Sequence, residues 1–288
     1  MSRYRFHRIF WLIVPLALGL GALILIGERL TSPANRVIGA PPAALGATRV
    51  TLQTQNSDYV SGWHIRGRAG VGSVLLLHGV RSDRRQMLAR AERLVALGFG
   101  VLLIDLPAHG ESTGQHITFG HNESLAVTAA IDWLHAQAPE DKIGVIGVSL
   151  GGASLILAKP SPFLRAAVVE SMYPDIGNAI TNRLTMRIGK TGEVISPLLQ
   201  LQLKWQLGVD PQELQPISHI RQLNAPLLLV SGSEDQHTTL AETQRLFAAA
   251  SEPKQLWVVN GAAHVDLFRY SPREYEAHVF SFLLQNLR

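Results

Sequence analysis

Residues 142–152 read KIGVIGVSLGG, an apolar run that closes on Gly147-Val148-Ser149-Leu150-Gly151-Gly152 and opens into a helix-length segment at 150–158. The run is short and bounded by a glycine turn, which assigns it to a buried strand rather than a helix. A serine between glycines at a strand-to-helix junction has a physical reason. The turn is sharp and strained, a Cβ at either flanking glycine would clash, and the hydroxyl is lifted above the sheet. The amide of Leu150 and the helix N-terminus then face any negative charge that develops beside that hydroxyl.

Outward from this junction the same alternation repeats. VLLLH (74–78), GVLLID (100–105), AAVVE (166–170), PLLLVSG (226–232) and QLWVVN (255–260) read as buried strands, continuous rather than alternating in polarity. Helices are expected at 84–97, 119–137, 239–250 and 272–286, the first with an Asp83/Gln86 capping box and the last entered through Ser271-Pro272. Thr51–Gln55 and Tyr59–Arg66 suit an antiparallel hairpin. The fold class is therefore α/β, a mostly parallel sheet covered by helices on both faces, with sites at the carboxyl ends of the strands. Between Ser171 and Gln222 the alternation breaks, because about fifty residues stand where one helix would do. This insertion is read as a cap, with a helix over 196–207 capped by Ser196 and followed by Pro197.

A serine hydroxyl needs a general base, and the base needs a partner that holds its tautomer. Two later strand ends supply these in the order Ser, acid, His. Ser233-Glu234-Asp235 follows one strand and Gly261-Ala262-Ala263-His264 follows the next. Asp235 is the preferred acid and Glu234 the alternate. A second oxyanion donor belongs on the loop after an earlier strand, where His78-Gly79-Val80-Arg81 places the amide of Val80 beside that of Leu150. His78 is assigned to packing that loop. Asp105–Ser112, including His109, is read as a side-chain-bonded turn without a catalytic role. Arg81, Arg84, Arg85, Arg90 and Arg93 are read as an exposed helix surface, with Arg81 near enough to the oxyanion loop to meet an acidic group on a substrate. His116, His121 and Glu123 are read as solvated.

Together these landmarks resemble the α/β-hydrolase superfamily over residues 48–288: HGV (78–80), DLPAHGES (105–112), GVSLGG (147–152), GSED (232–235) and GAAH (261–264), in order. The pattern is most similar to single-pass membrane hydrolases of the serine-aminopeptidase and lysophospholipase-like branch. One departure is Ala108-His109-Gly110, where the family often has Arg before the first glycine of the turn. The resemblance implies an eight-stranded sheet with its second strand antiparallel and a cap after the sixth. It also implies Ser149 as nucleophile, His264 as base and Asp235 as acid.

The remaining sequence bounds the function. The 288 residues carry 26 Lys and Arg against 22 Asp and Glu, and three of the positives are Arg3, Arg5 and Arg8, so the charge is no argument for nucleic-acid binding. The absence of cysteine excludes disulfides and a thiolate nucleophile. No HExxH, Walker or GxGxxG motif is present, and no metal or organic cofactor is expected. Ile9–Ile26 is an uncharged run of 18 residues, roughly 27 Å as a helix. Behind the three arginines it reads as a membrane anchor with the N-terminus cytoplasmic and the rest on the extracytoplasmic side; the alternative is a cleaved signal peptide and secretion. Residues 31–47, TSPANRVIGAPPAALGA, read as a tether. The expected activity is hydrolysis of an ester, with a lipid-like acyl ester favoured as the small-molecule substrate. The alternatives are a peptidase or amidase on small substrates with the same triad, or an inactive hydrolase-fold binding protein.

Overall fold

The computed structural model describes residues 2–288, with side chains described from Val14 onward except at Pro15 and Leu16. Eight strands form one sheet: β1 (Thr48–Gln53), β2 (Tyr59–Ile65), β3 (Ser73–Leu77), β4 (Gly100–Ile104), β5 (Ile143–Val148), β6 (Leu164–Glu170), β7 (Leu227–Gly232) and β8 (Lys254–Val259). Their spatial order is β8-β7-β6-β5-β3-β4-β2-β1. β2 runs antiparallel to both β1 and β4, and the other neighbours are parallel. Side chains alternate between two cores along each strand, as period-2 geometry requires. In β3, Leu75 and Leu77 enter one core while Val74 and Leu76 enter the other. This two-sided burial explains why the strands read as unbroken apolar runs.

The helices are α1 (Ser2–Thr31), α2 (Leu88–Ala96), α3 (His121–Gln137), α4 (Leu150–Leu157), α5 (Ile176–Ile188), α6 (Thr191–Leu207) and α7 (Leu240–Ala249). A last helical run comprises Pro272–Tyr275, a π-turn at Glu276–Phe280, and Ser281–Leu287. The expected first helix begins as a 3₁₀ turn, Arg84–Met87. There the Asp83 carboxylate accepts from the Arg85 amide, but the Gln86 side chain turns away from the cap to Gly79.

Several sequence expectations are corrected by packing. The cap contains two long helices rather than one. α6 starts at Thr191, so Pro197 lies inside it, and Ser196 does not cap it but meets Thr181 Oγ1 at 2.6 Å on α5. The reason is a close helix hairpin: a Cβ on Gly192 would stand 2.6 Å from the Leu184 backbone, so α6 approaches α5 there. Arg84 and Arg90 are not surface residues. Arg84 is fully buried over the Trp63 ring and paired with Asp105 at 2.7 Å and with Glu111. Arg90 is 1% exposed and paired with Glu170 at 2.8 Å and Asp266 at 2.9 Å, beside the Tyr275 hydroxyl. Each arginine is tolerated inside because carboxylates on other elements neutralise it. Glu123 is likewise buried, accepting from the amides of Thr118 and Gly120.

Residues 31–47 are seated on the domain rather than free of it. Ala34–Asn35 pair in parallel with His109–Gly110, the Arg36 guanidinium donates to Arg81 O at 2.8 Å, and the Ile38 amide donates to Glu111. The reading of Ile9–Ile26 as a membrane span lies outside the described side chains at residues 9–13, 15 and 16. Among the described residues, no helix is long and apolar enough to cross a membrane.

Candidate active site

β5 delivers Ser149 to the first position before α4 with φ +49° and ψ −108°. A non-glycine residue at positive φ is strained, and the strain persists only where surrounding packing dictates the turn. Here the glycines are indispensable. A Cβ on Gly147 would lie 2.7 Å from the Gly151 backbone, one on Gly151 2.6 Å from Leu77 O, and one on Gly152 2.8 Å from Val169 Cγ1. The Ser149 amide is itself tied to Glu170 O at 2.8 Å, so the end of β6 braces the turn.

Beyond β7, Asp235 is 4% exposed and surrounded by donors. Its Oδ1 accepts from the amides of His237 at 2.8 Å and Thr238 at 2.9 Å, and its Oδ2 from Thr238 Oγ1 at 2.9 Å. The remaining contact is His264 Nδ1 at 2.7 Å, arriving from the turn after β8. Burial works to raise the Asp235 pKa, but the His264 hydrogen bond and charge and the Thr238 donors outweigh it, leaving the carboxyl below its usual value. Glu234, the alternate acid, is exposed, and its amide only closes the turn onto Ala262 O at 2.9 Å. Two strand ends thus bring the acid and imidazole together as the sequence order required. They line an open cleft of about 650 Å³ whose walls include His237, Leu240 and, from α5, Met186. Among the described residues Ser149 Oγ makes no hydrogen bond to His264, and Ser149 is buried outside that cleft.

In the loop after β3 one amide is left without an acceptor between two that are engaged. The Gly79 amide is taken by Gln86 Oε1 at 2.8 Å, and the Arg81 amide by His109 Nε2 at 2.9 Å. The Val80 amide between them, like that of Leu150 at the start of α4, has no acceptor among the described residues. Arg81 takes φ +58°, which turns the chain at this point. His78 carries the packing role expected of it: Nε2 accepts from the Leu106 amide at 3.0 Å and Nδ1 faces Gly79 O at 2.7 Å. Burial drives its pKa down to about 3, and burial likewise takes His109 to about 4, so both rings are neutral.

Sequence reasoning missed two positioning residues, Gln86 and His109. The signal for His109 was its place in the turn beside the loop, but its bond to Arg81 crosses the fold and has no sequence spacing. Arg81 is engaged within the fold through Nη1. Its guanidinium donates to Arg29 O and Ser32 O at 3.1 Å, fastening the end of α1. No cluster of metal-ligating side chains occurs among the described residues.

The fold and its similarities to known proteins define a hydrolase of the α/β-hydrolase superfamily. The family described as X-Pro dipeptidyl-peptidase (S15 family) matches residues 47–195, just over half of the chain, and the chain belongs to it. An uncharacterized protein of Mycobacterium tuberculosis, Rv2307c, is 31% identical over 75% of this chain and 72% of its own length. The uncharacterized YqkD of Bacillus subtilis is 22% identical over 78% and 75%. The Pyrococcus furiosus esterase Pf2001 superposes with a TM-score of 0.72 at 26% identity, covering 89% of this chain and all of its own. The S15 match stands beside, and does not name, the serine-aminopeptidase and lysophospholipase-like branch.

Proposed function

We propose that the protein is a serine hydrolase acting on an ester through an acyl-enzyme. The observation that carries this reading is the glycine-walled strand-to-helix turn that presents Ser149 at φ +49° and ψ −108°. Ser149 Oγ attacks the acyl carbonyl as His264 takes its proton, and Asp235 holds the imidazole with Nδ1 protonated. This requires the Ser149–His264 hydrogen bond to form on substrate binding, since catalytic contacts are often long in the free enzyme. The two unclaimed amides, Val80 and Leu150, receive the oxyanion. His264 then protonates the leaving group and activates water for deacylation. The esterase similarity supports an ester, and the apolar cap together with the apolar N-terminal run supports the lipid-like acyl class. Labelling by a fluorophosphonate probe, lost in Ser149→Ala, tests the proposal; an unlabelled folded protein overturns it in favour of a binding module.

The second reading, a peptidase on small substrates, is favoured by one observation, the S15 family match. Rates on p-nitrophenyl esters, lysophospholipids and X-Pro dipeptide anilides separate the two.

We also infer that α1 is a retained membrane anchor, with the N-terminus cytoplasmic and residues 31–288 extracytoplasmic. Ile9–Ile26 is uncharged and follows Arg3, Arg5 and Arg8. Removal of α1 would strip Arg81 of acceptors at Arg29 and Gln202 of its acceptor at Ile24, which argues against a cleaved leader. Sequencing of the mature N-terminus checks this, and a start beyond Ile26 would refute it.

A further inference from the structure

Among the described residues, the cap carries an apolar face that no other element covers. On α6 the buried residues Ser196, Leu199 and Leu203 face the domain. Val194, Leu198, Leu201 and Trp205, spaced four, three and four apart on another face, are 77%, 54%, 68% and 75% exposed. Four large side chains in one row far exceed the scattered apolar exposure of an ordinary surface. The row is continuous with α1. Gln202 Nε2 donates to Ile24 O at 3.0 Å, and the missing Cβ of Gly27 lets the two helices approach at Gln202. Beside this contact Leu20, Leu23 and Ile24 of α1 and Leu198, Leu201 and Trp205 of α6 line a groove of about 580 Å³. The end of α5 adds exposed Met186 and Ile188, with Arg187 and Lys190 alongside and without a carboxylate partner among the described residues.

We propose that this face of α6 lies in the outer interfacial layer of the bilayer, seating the cap on the lipid surface beside the anchor. The inference rests on the reading of α1 as an anchor. Three features select lipid over a protein partner. The face adjoins the last turns of the apolar run Ile9–Ile26, which is where an outward-going span meets the lipid–water boundary. Trp205 has the amphipathic ring favoured at that depth. Arg187 and Lys190 complement anionic headgroups. α5 connects this surface to the cleft directly, because Met186 on the same helix walls the space beside His264. A single-chain acyl lipid leaving the bilayer would reach the cleft along the cap.

The chain has no cysteine, so single-cysteine variants carry one label each. Nitroxides at Leu18→Cys, Leu201→Cys and Glu140→Cys in the full chain, reconstituted in phosphatidylcholine/phosphatidylglycerol vesicles, report collision with oxygen or with an aqueous nickel chelate. The expected result is lipid exposure at 18 and 201 and aqueous exposure at 140. Lipid exposure at 18 with water at 201 overturns the docking proposal and leaves the anchor standing. Water at 18 removes the anchor and the proposal with it. Spin–spin broadening at 201 with shielding from both quenchers assigns the face to a second copy and overturns lipid docking. The double variant Leu198→Glu/Leu201→Glu should lower turnover of a vesicle-embedded lysophospholipid about tenfold or more while leaving p-nitrophenyl acetate hydrolysis unchanged. Equal rates on both substrates would count against the proposal.

Discussion

The floor of the site and the cap obey opposite rules. At the floor, around the ends of β3 and β5, nearly every polar group is committed: Gly79 to Gln86, Arg81 to His109, Ser149 to Glu170, leaving the amides of Val80 and Leu150 unclaimed. On the cap, α6 leaves a row of large apolar side chains uncommitted. In the proposed reaction the first region is preorganised for developing charge, where any rearrangement would add to the barrier. The second has surface to spare, which suits contact with a soft, non-directional partner. Stored strain belongs to the first, and surplus hydrophobicity to the second.

Substitutions at the floor should therefore have large, specific effects. Ser149→Ala is expected to lower kcat for an ester substrate by roughly 10⁵–10⁶-fold, since a triad acts as a unit; a loss under tenfold in a steady-state assay would place the nucleophile elsewhere. Asp235→Asn should cost on the order of 10⁴-fold with the fold intact, by presenting the wrong partner to His264. Glu234→Gln, measured alongside, should stay near wild type.

Another substitution tests the bracing behind the elbow. Arg90→Met leaves the Glu170 carboxylate buried without its guanidinium and should lower unfolding free energy by about 3–5 kcal/mol in a denaturant titration. Arg90→Met/Glu170→Gln should recover part of that loss.

Acidification acts on the floor through its buried histidines. His78 and His109 have folded pKa values of about 3 and about 4, below the ordinary value of 6.5. Above pH 6.5 both are neutral folded or unfolded and contribute no slope. As pH falls below 6.5 the unfolded chain takes up protons that the folded one refuses. Stability then drops by about 1.4 kcal/mol per pH unit for each ring, down to its folded pKa. His109→Gln should remove its share of that slope in melting curves between pH 6.5 and 4. The smallest effect is expected from Gln86→Ala, which frees the Gly79 amide and loosens the Val80 loop. A cost of about 1 kcal/mol, several-fold in kcat with KM little changed, would fit.

The strands, the elbow and the order of Ser149, Asp235 and His264 were legible because each is local. An apolar run bounded by glycine states a strand, and the Gly147/Gly151/Gly152 spacing states the turn. The arginines of 81–93 were not legible. Helical spacing distributes them over several faces, and only the arrival of Asp105, Glu111, Glu170 and Asp266 from other elements shows that Arg84 and Arg90 are interior. Pro197 misled for a related reason: its preference for a helix start was overridden by the α5–α6 contact at Gly192.

By itself the sequence determined the chain's α/β alternation, the strained serine turn and the candidate acid and base, because these depend on neighbours a few residues apart. Tertiary structure alone decided which charges are buried, that residues 31–47 are strapped to the His109–Glu111 turn and to Arg81, and that α1 lies against the cap. Those outcomes depend on which distant groups meet, and a buried charge or an exposed apolar row acquires its meaning only from what stands opposite it in space.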